Sequence, residues 1–180
     1  MSMFTDINLI NGIKIMNDEV HIDKRGYFTK IFTGDASTKI GFSSLAITNN
    51  RLAGTIRGLH FQTGANAEEK IIKCIRGKIF DVAVDLRSGS STFGRWGSVV
   101  LSAESPTTLY LPIGIAHGYQ SLEDDSQILY GLTSKYDAEN SHVIKYDDSC
   151  LNINWPLNPV NISARDMSGL SFEEAVEELK

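Results

Sequence analysis

Arg57-Gly58-Leu59-His60-Phe61-Gln62 is followed by Lys70-Ile71-Ile72-Lys73-Cys74-Ile75-Arg76, a Gly77-Lys78 corner, and Ile79-Phe80-Asp81-Val82-Ala83-Val84-Asp85-Leu86. Short apolar runs rich in β-branched and aromatic residues, separated by turn residues, predict neighbouring strands. The side-chain period of two puts Phe80, Val82, Val84 and Leu86 on one face of the third run, and Ile79, Asp81, Ala83 and Asp85 on the other. Two carboxylates among apolar neighbours need partners, and Lys70 or an arginine would serve. In the first run the same period sends Arg57 and His60 to opposite faces unless Gly58 hosts a bulge that brings both to one. Arg57, His60 and Lys70 together offer a guanidinium, an imidazole and an ammonium, a set suited to an anionic ligand beside a reacting centre.

The rest of the chain follows the same grammar. Upstream, strand and turn alternate from Ile7 through the Asp23-Lys24-Arg25-Gly26 corner to Tyr27–Phe32, residues 34–42 are a loop or one helical turn, and Ser43 to Thr48 is a strand. His21 is expected on the surface. Downstream, Trp96 to Ser102, Thr107 to Pro112 and Gln127 to Lys135 are strands, the last carrying Tyr130 at its centre on a face shared with Ile128 and Leu132. Periodicity fades after Tyr136, and His142 is expected to be solvated. Ser171-x-x-Glu174 has the spacing of a capping box ahead of Phe172, Ala175, Val176 and Leu179, so a short helix should close the chain. About ten short strands and no long helix predict an all-β sandwich or barrel.

Composition narrows the function classes. The 180 residues can bury a core and contain no linker-like stretch, so a single domain over 1–180 is expected. A net charge of −5 with scattered basic residues lacks the footprint of a nucleic-acid binder. With no apolar run of membrane-spanning length and no leader, neither a membrane partner nor export is expected, and the protein should be cytoplasmic. Cys74 and Cys150 lack a paired spacing and suit a reducing compartment.

The Pro112-x-Gly114-x-x-His117 turn is similar to the second motif of cupins, which are double-stranded β-helices of the jelly-roll kind. A metal-binding cupin needs a His-x-His pair and a carboxylate on the partner hairpin, but here that place is His60-Phe61-Gln62 and the chain has only four histidines. Neither metal nor other cofactor is expected.

Arg57 to Gln62, Lys70, Phe80 to Arg87, Ser91-Thr92-Phe93-Gly94-x-Trp96, Leu101-Ser102, the Pro-x-Gly-x-x-His-Gly turn, Tyr130, and Asp147-Asp148 to Trp155-Pro156 run in the order of the dTDP-4-dehydrorhamnose 3,5-epimerase family, which this chain resembles from Asp23 to Asp166. The resemblance implies a metal-free cupin jelly roll and a homodimer in which N-terminal strands complete the partner's sheet. It implies epimerisation at C3 and C5 of a 4-keto-6-deoxyhexose on a nucleotide diphosphate, through an enolate. His60 matches the base, Asp166 the carboxylate that holds it, Tyr130 the acid on the other face and Lys70 the cation at the developing O4 anion. Arg25 and Arg57 match the residues that hold the diphosphate, His117 one that lines the sugar pocket, and Phe28 and Tyr136 aromatics that flank the base.

Thymidine-using members commonly carry glutamate at the place of Lys30 and Gln-x-Asn at that of Leu45-Ala46-Ile47. These departures leave the base open. Two alternatives stand beside the main reading. One is a single-carbon epimerase or ketoisomerase acting on a CDP-, GDP- or UDP-linked sugar, and the other a non-catalytic cupin that binds a sugar nucleotide.

Overall fold

The computed structural model describes residues 4–32, 41–105 and 107–179. The expected loop or helical turn at 34–42 therefore falls almost wholly outside the described residues. Among the described residues thirteen strands follow in order: β1 (Phe4–Asp6), β2 (Lys14–Asn17), β3 (Val20–Asp23), β4 (Gly26–Thr29), β5 (Ser44–Asn50), β6 (Ile56–Gln62), β7 (Lys70–Arg76), β8 (Lys78–Asp85), β9 (Trp96–Ser102), β10 (Thr107–Leu111), β11 (Ile115–Ser121), β12 (Ser126–Leu132) and β13 (Ser141–Val143). Two short helices close the chain, α1 (Ala164–Met167) and α2 (Phe172–Glu177).

One sheet has the order β1-β9-β8-β11-β6-β13 and the other β2-β10-β7-β12-β5. Strands adjacent in sequence, such as β7 and β8, thus lie in opposite sheets, and the long-range pairings wrap the chain into the cupin jelly roll. Between the sheets pack Ile72, Ile79, Ala83, Leu101, Leu109, Tyr119 and Ile128, with Ile7, Ile10 and Ile13 from the N-terminal segment. On the far face of the six-stranded sheet Leu59, Phe61, Val82, Val84 and Trp96 are covered by Leu151, Phe172 and Ala175 of the C-terminal segment. The alternation along β8 is therefore as the sequence predicts: both faces are buried, each in its own apolar layer. Burying each aliphatic side chain contributes about 1.5–3 kcal/mol.

The C-terminal segment is fixed by polar contacts as well. Trp96 Nε1 donates to the Leu151 carbonyl at 2.8 Å, and α2 starts with both halves of the expected capping box between Ser171 and Glu174.

The β3–β4 hairpin belongs to neither sheet. At its base Asp18 forms an ion pair with buried Lys73 and accepts from the Thr108 hydroxyl at 3.0 and 3.1 Å, so the point of departure is held firmly. Beyond it Ile22, Tyr27 and Phe28 are exposed, and Tyr27 and Phe28 share an open hollow with Lys73, Cys74 and Ile75 of β7. His21 is exposed too, as expected. Among the described residues no helix is long and apolar enough to cross a membrane.

Candidate active site

A cleft of about 330 Å³ opens between the sheets, lined on one side by Arg57, His60 and His117 and on the other by Lys70, Tyr130 and Leu132. Arg57 and His60 share this wall because of a bulge at Gly58. Opposite them His117 pairs with His60 and Tyr119 with Arg57, so three steps on β6 match two on β11. Glycine is required there. Its φ is +124°, and a Cβ would lie 2.5 Å from the Gly118 Cα and 2.8 Å from the His117 carbonyl oxygen.

His60 Nε2 lies 2.7 Å from Asp166 Oδ1. With the carboxylate accepting from Nε2, Nδ1 is left as the nitrogen that takes a proton. Asp166 sits in the single turn of α1, where its own N–H donates to the capping Ser163 hydroxyl at 3.0 Å. Burial would raise the Asp166 carboxyl, but hydrogen bonds from His60, the Gly58 N–H and Ser163 outweigh it and hold the group below the ordinary carboxylate range. It stays an anion and orients the imidazole.

Tyr130 projects from β12, in the sheet opposite His60, with its ring edge-on to His117 at 6.1 Å between centroids. Burial, with Tyr119 and Asp81 nearby, raises its hydroxyl well above the ordinary value, so it keeps its proton. Lys70 opens β7 and is buried. Its Nζ donates to the His60 carbonyl at 3.2 Å and lies 3.4 Å from Glu68.

The partners of the two β8 carboxylates are now explicit. Asp85 takes Arg87 at 2.8 Å, within the expectation of an arginine, and the Ser90 and Thr92 hydroxyls at 2.6 and 2.7 Å. Asp81 instead takes the buried His117, at 2.8 Å from Nε2, while Lys70 acts on it only as a nearby charge. His117 thereby stands in the inner wall as one half of a second His–Asp pair.

Arg57 is anchored by Asn50, to whose Oδ1 its Nε donates at 2.9 Å, leaving the guanidinium edge at the mouth. Tyr136 is at the rim and exposed, and its hydroxyl accepts from Arg165 at 3.4 Å. Seven of the nine residues singled out from sequence thus meet around one cleft: His60, Asp166, Tyr130, Lys70, Arg57, His117 and Tyr136. Arg25 and Phe28 do not reach it in this chain. Arg25 is paired with Asp23 at 2.6 Å on the exposed hairpin, and Phe28 lies in the same hairpin hollow. The reason is topological: a hairpin that joins neither sheet carries these side chains away from its own cleft.

Two sequence expectations are corrected, those for Leu45-Ala46-Ile47 and for His142. Of Leu45-Ala46-Ile47, only Ala46 faces the cleft, between Ser44 and Thr48, because Ala46 pairs with Tyr130; Leu45 and Ile47 point out and are exposed. Lys30 lines a separate hollow with Asp18 and His21. His142 is not simply solvated: it belongs to β13, stacks on Phe61 at 5.2 Å between ring centroids and lies 3.2 Å from the Thr63 hydroxyl. Arg165 and Glu68, both lining the cleft, were missed. Arg165 adjoins Asp166 in sequence, and Glu68 shares a face with Lys70 at the period of two; either spacing was a signal.

A base held by a carboxylate on one wall, a protonated phenol on the other and an ammonium between them can remove a proton next to a carbonyl, stabilise the enolate and return a proton to the opposite face. On this fold such a site defines a cupin-type isomerase. The sequence model described as dTDP-4-dehydrorhamnose 3,5-epimerase matches residues 8–174, and the chain belongs to that family.

A dTDP-4-dehydrorhamnose 3,5-epimerase of Sinorhizobium fredii is 40% identical over 170 residues, 92% of this chain and 87% of its own. The crystal structure of dTDP-6-deoxy-D-glucose-3,5-epimerase from Legionella pneumophila, in complex with dTDP-4-keto-L-rhamnose, is 32% identical with a TM-score of 0.88, covering 95% of this chain and 94% of that one. A 3'-monoepimerase from Streptomyces bikiniensis, in complex with dTDP-quinovose, is 30% identical with a TM-score of 0.87, covering 95% and 90%.

Proposed function

We propose that this protein epimerises a nucleotide-diphosphate-linked 4-keto-6-deoxyhexose at C3 and C5. The observation that carries the reading is the His60–Asp166 pair facing Tyr130 across a cleft that also holds the buried Lys70. His60 takes the proton from the carbon beside the ketone, Lys70 stabilises the charge that forms on O4, and Tyr130 donates from the far face. His117, held by Asp81, shapes the inner wall against the sugar. Arg57 and Arg165 stand where a diphosphate would enter, with forked donors that fit phosphate oxygens, and Tyr136 lies beside them.

The same chemistry proceeds without metal or other cofactor. Supporting this, the Nε2 atoms of His60 and His117 each face a carboxylate. The free thiols of Cys74 and Cys150 suit a reducing cytoplasm.

The functional unit is a homodimer. The hairpin's exposed Ile22, Tyr27 and Phe28, at 81%, 74% and 60% exposure, favour a covered environment. In the dimer Arg25 and Phe28 serve the partner's cleft, adding a third guanidinium and an aromatic wall.

Proton NMR of a 4-keto-6-deoxy nucleotide sugar in D₂O tests the reaction, scoring deuterium entry at C3 and C5 separately. Entry and inversion at both carbons are expected. Exchange at C3 alone would assign a single-carbon epimerase, a reading favoured by the likeness to the Streptomyces bikiniensis 3'-monoepimerase. Absence of exchange at either would leave a binding protein.

A further inference from the structure

Glu68 and Glu69 lead into β7 at Lys70, and their side chains part, Glu68 going to Lys70 and Glu69 to Tyr110. Glu69 is occupied on its own side, where its Oε1 accepts from the Tyr110 hydroxyl at 2.5 Å. Glu68 turns into the cleft. Its side chain is 9% exposed, and its Oε1 lies 3.4 Å from Lys70 Nζ; among the described residues its carboxylate has no other ion-pair partner.

The groups around Lys70 divide sharply. From β6 comes the neutral carbonyl of His60 at 3.2 Å, and from β12 the un-ionised Tyr130. From β8 comes Asp81, which is engaged by His117 of β11 and whose carboxyl is raised by burial. Glu68 is the one carboxylate in salt-bridge range of the ammonium among the described residues. We propose that Glu68 is a positioning residue for the reaction: its carboxylate is the counter-ion that keeps Lys70 charged and aimed at the site of the developing oxyanion.

Burial drives Lys70 downward from the ordinary lysine value, and Glu68 is the leading opposing influence. A lysine that lost its proton would still donate a hydrogen bond, but without the charge that makes such a bond about twice as strong. The catalytic role of this pair rests on the proposed proton-transfer reading; the pairing itself does not.

The test therefore has two readouts on wild type, Glu68→Gln and Glu68→Asp. The first is the acetylation rate of Lys70 by a small anhydride as a function of pH, read by peptide mass spectrometry. In Glu68→Gln the Lys70 titration should move down by about 1–3 pH units, the usual effect of one opposite charge at this range. Glu68→Asp should move it less, in the same direction, and serves alone if the glutamine variant fails to fold. The second readout is the pH profile of kcat, whose basic limb should move with the Lys70 titration.

An unmoved Lys70 titration in a folded variant overturns the pairing. A moved titration with an unmoved kcat limb overturns the positioning role. A wild type that turns over no keto sugar while its Lys70 titration responds to Glu68 would overturn the functional reading and, with it, the catalytic role, but uphold the ion pair.

Discussion

Gly58→Ala is the sharpest perturbation of this site that touches no chemical group. The new Cβ would stand 2.5 Å from the Gly118 Cα and 2.8 Å from the His117 carbonyl oxygen, and both are backbone atoms that cannot swing aside. The φ of +124° adds a conformational cost of about 1–3 kcal/mol for any L side chain. Forcing β6 and β11 apart adds a similar overpacking cost of about 1–3 kcal/mol. Taking about 4 kcal/mol as the middle of the combined range, a chain of this size should lose roughly 8–16 °C in Tm. Because the bulge is what sets Arg57 and His60 on one wall, a shift of about 1 Å should also lower kcat on the order of 100-fold. Gly64→Ala is the control: its φ is also positive, at +63°, but the nearest atom to the added Cβ is Asn140 Oδ1 at an ordinary 3.8 Å, so it carries a conformational cost without a backbone clash. Calorimetry and deuterium exchange on both variants decide the matter. A Gly58→Ala protein no less stable than Gly64→Ala, with wild-type exchange, would refute the argument that close backbone approach requires this glycine.

His60→Ala should lower solvent exchange at both carbons by about 10²- to 10⁴-fold, whereas Tyr130→Phe should keep exchange and impair inversion; equal loss of exchange in the two would refute the division of roles. Mixing Arg25→Ala with His60→Ala subunits should restore about a quarter of the sites, because half the dimers are mixed and each of those rebuilds one intact cleft; no recovery on exchange of subunits would place Arg25 outside the partner's site. Exhaustive chelation should leave activity unchanged, and stoichiometric metal by elemental analysis, with activity lost on its removal, would overturn the metal-free mechanism. At the β5 wall Ala46 offers no hydrogen bond to a base edge, and the Ser44 and Thr48 hydroxyls on either side of it can each donate or accept, so this wall suits more than one base. Calorimetric titration with dTDP, UDP, CDP and GDP should therefore find no strong selection for thymidine, and a clear preference for dTDP would show that other residues read the base.

The residues themselves determined a good deal. Alternation along β8 placed its two buried faces, Ser171 and Glu174 announced the last helix, and Gly58 between Arg57 and His60 marked the bulge. Each of these is set by local geometry, the period of a strand, the free N–H groups of a helix start, or a backbone conformation that only glycine takes easily. Likeness to a family then supplied the pairing of His60 with Asp166, which lie 106 residues apart and which no local rule connects.

Tertiary structure alone decided which face of β5 meets the cleft, because that depends on pairing Ala46 with Tyr130, and a slip of one residue would have turned Leu45 and Ile47 into the cleft instead. It likewise decided that Asp81 belongs to His117, since both project between the sheets from neighbouring strands, and that Arg25 stands away from its own cleft. A side chain's own strand fixes its direction to within two choices. What it then meets is fixed by the strands beside and across from it, and in a jelly roll those come from distant parts of the chain.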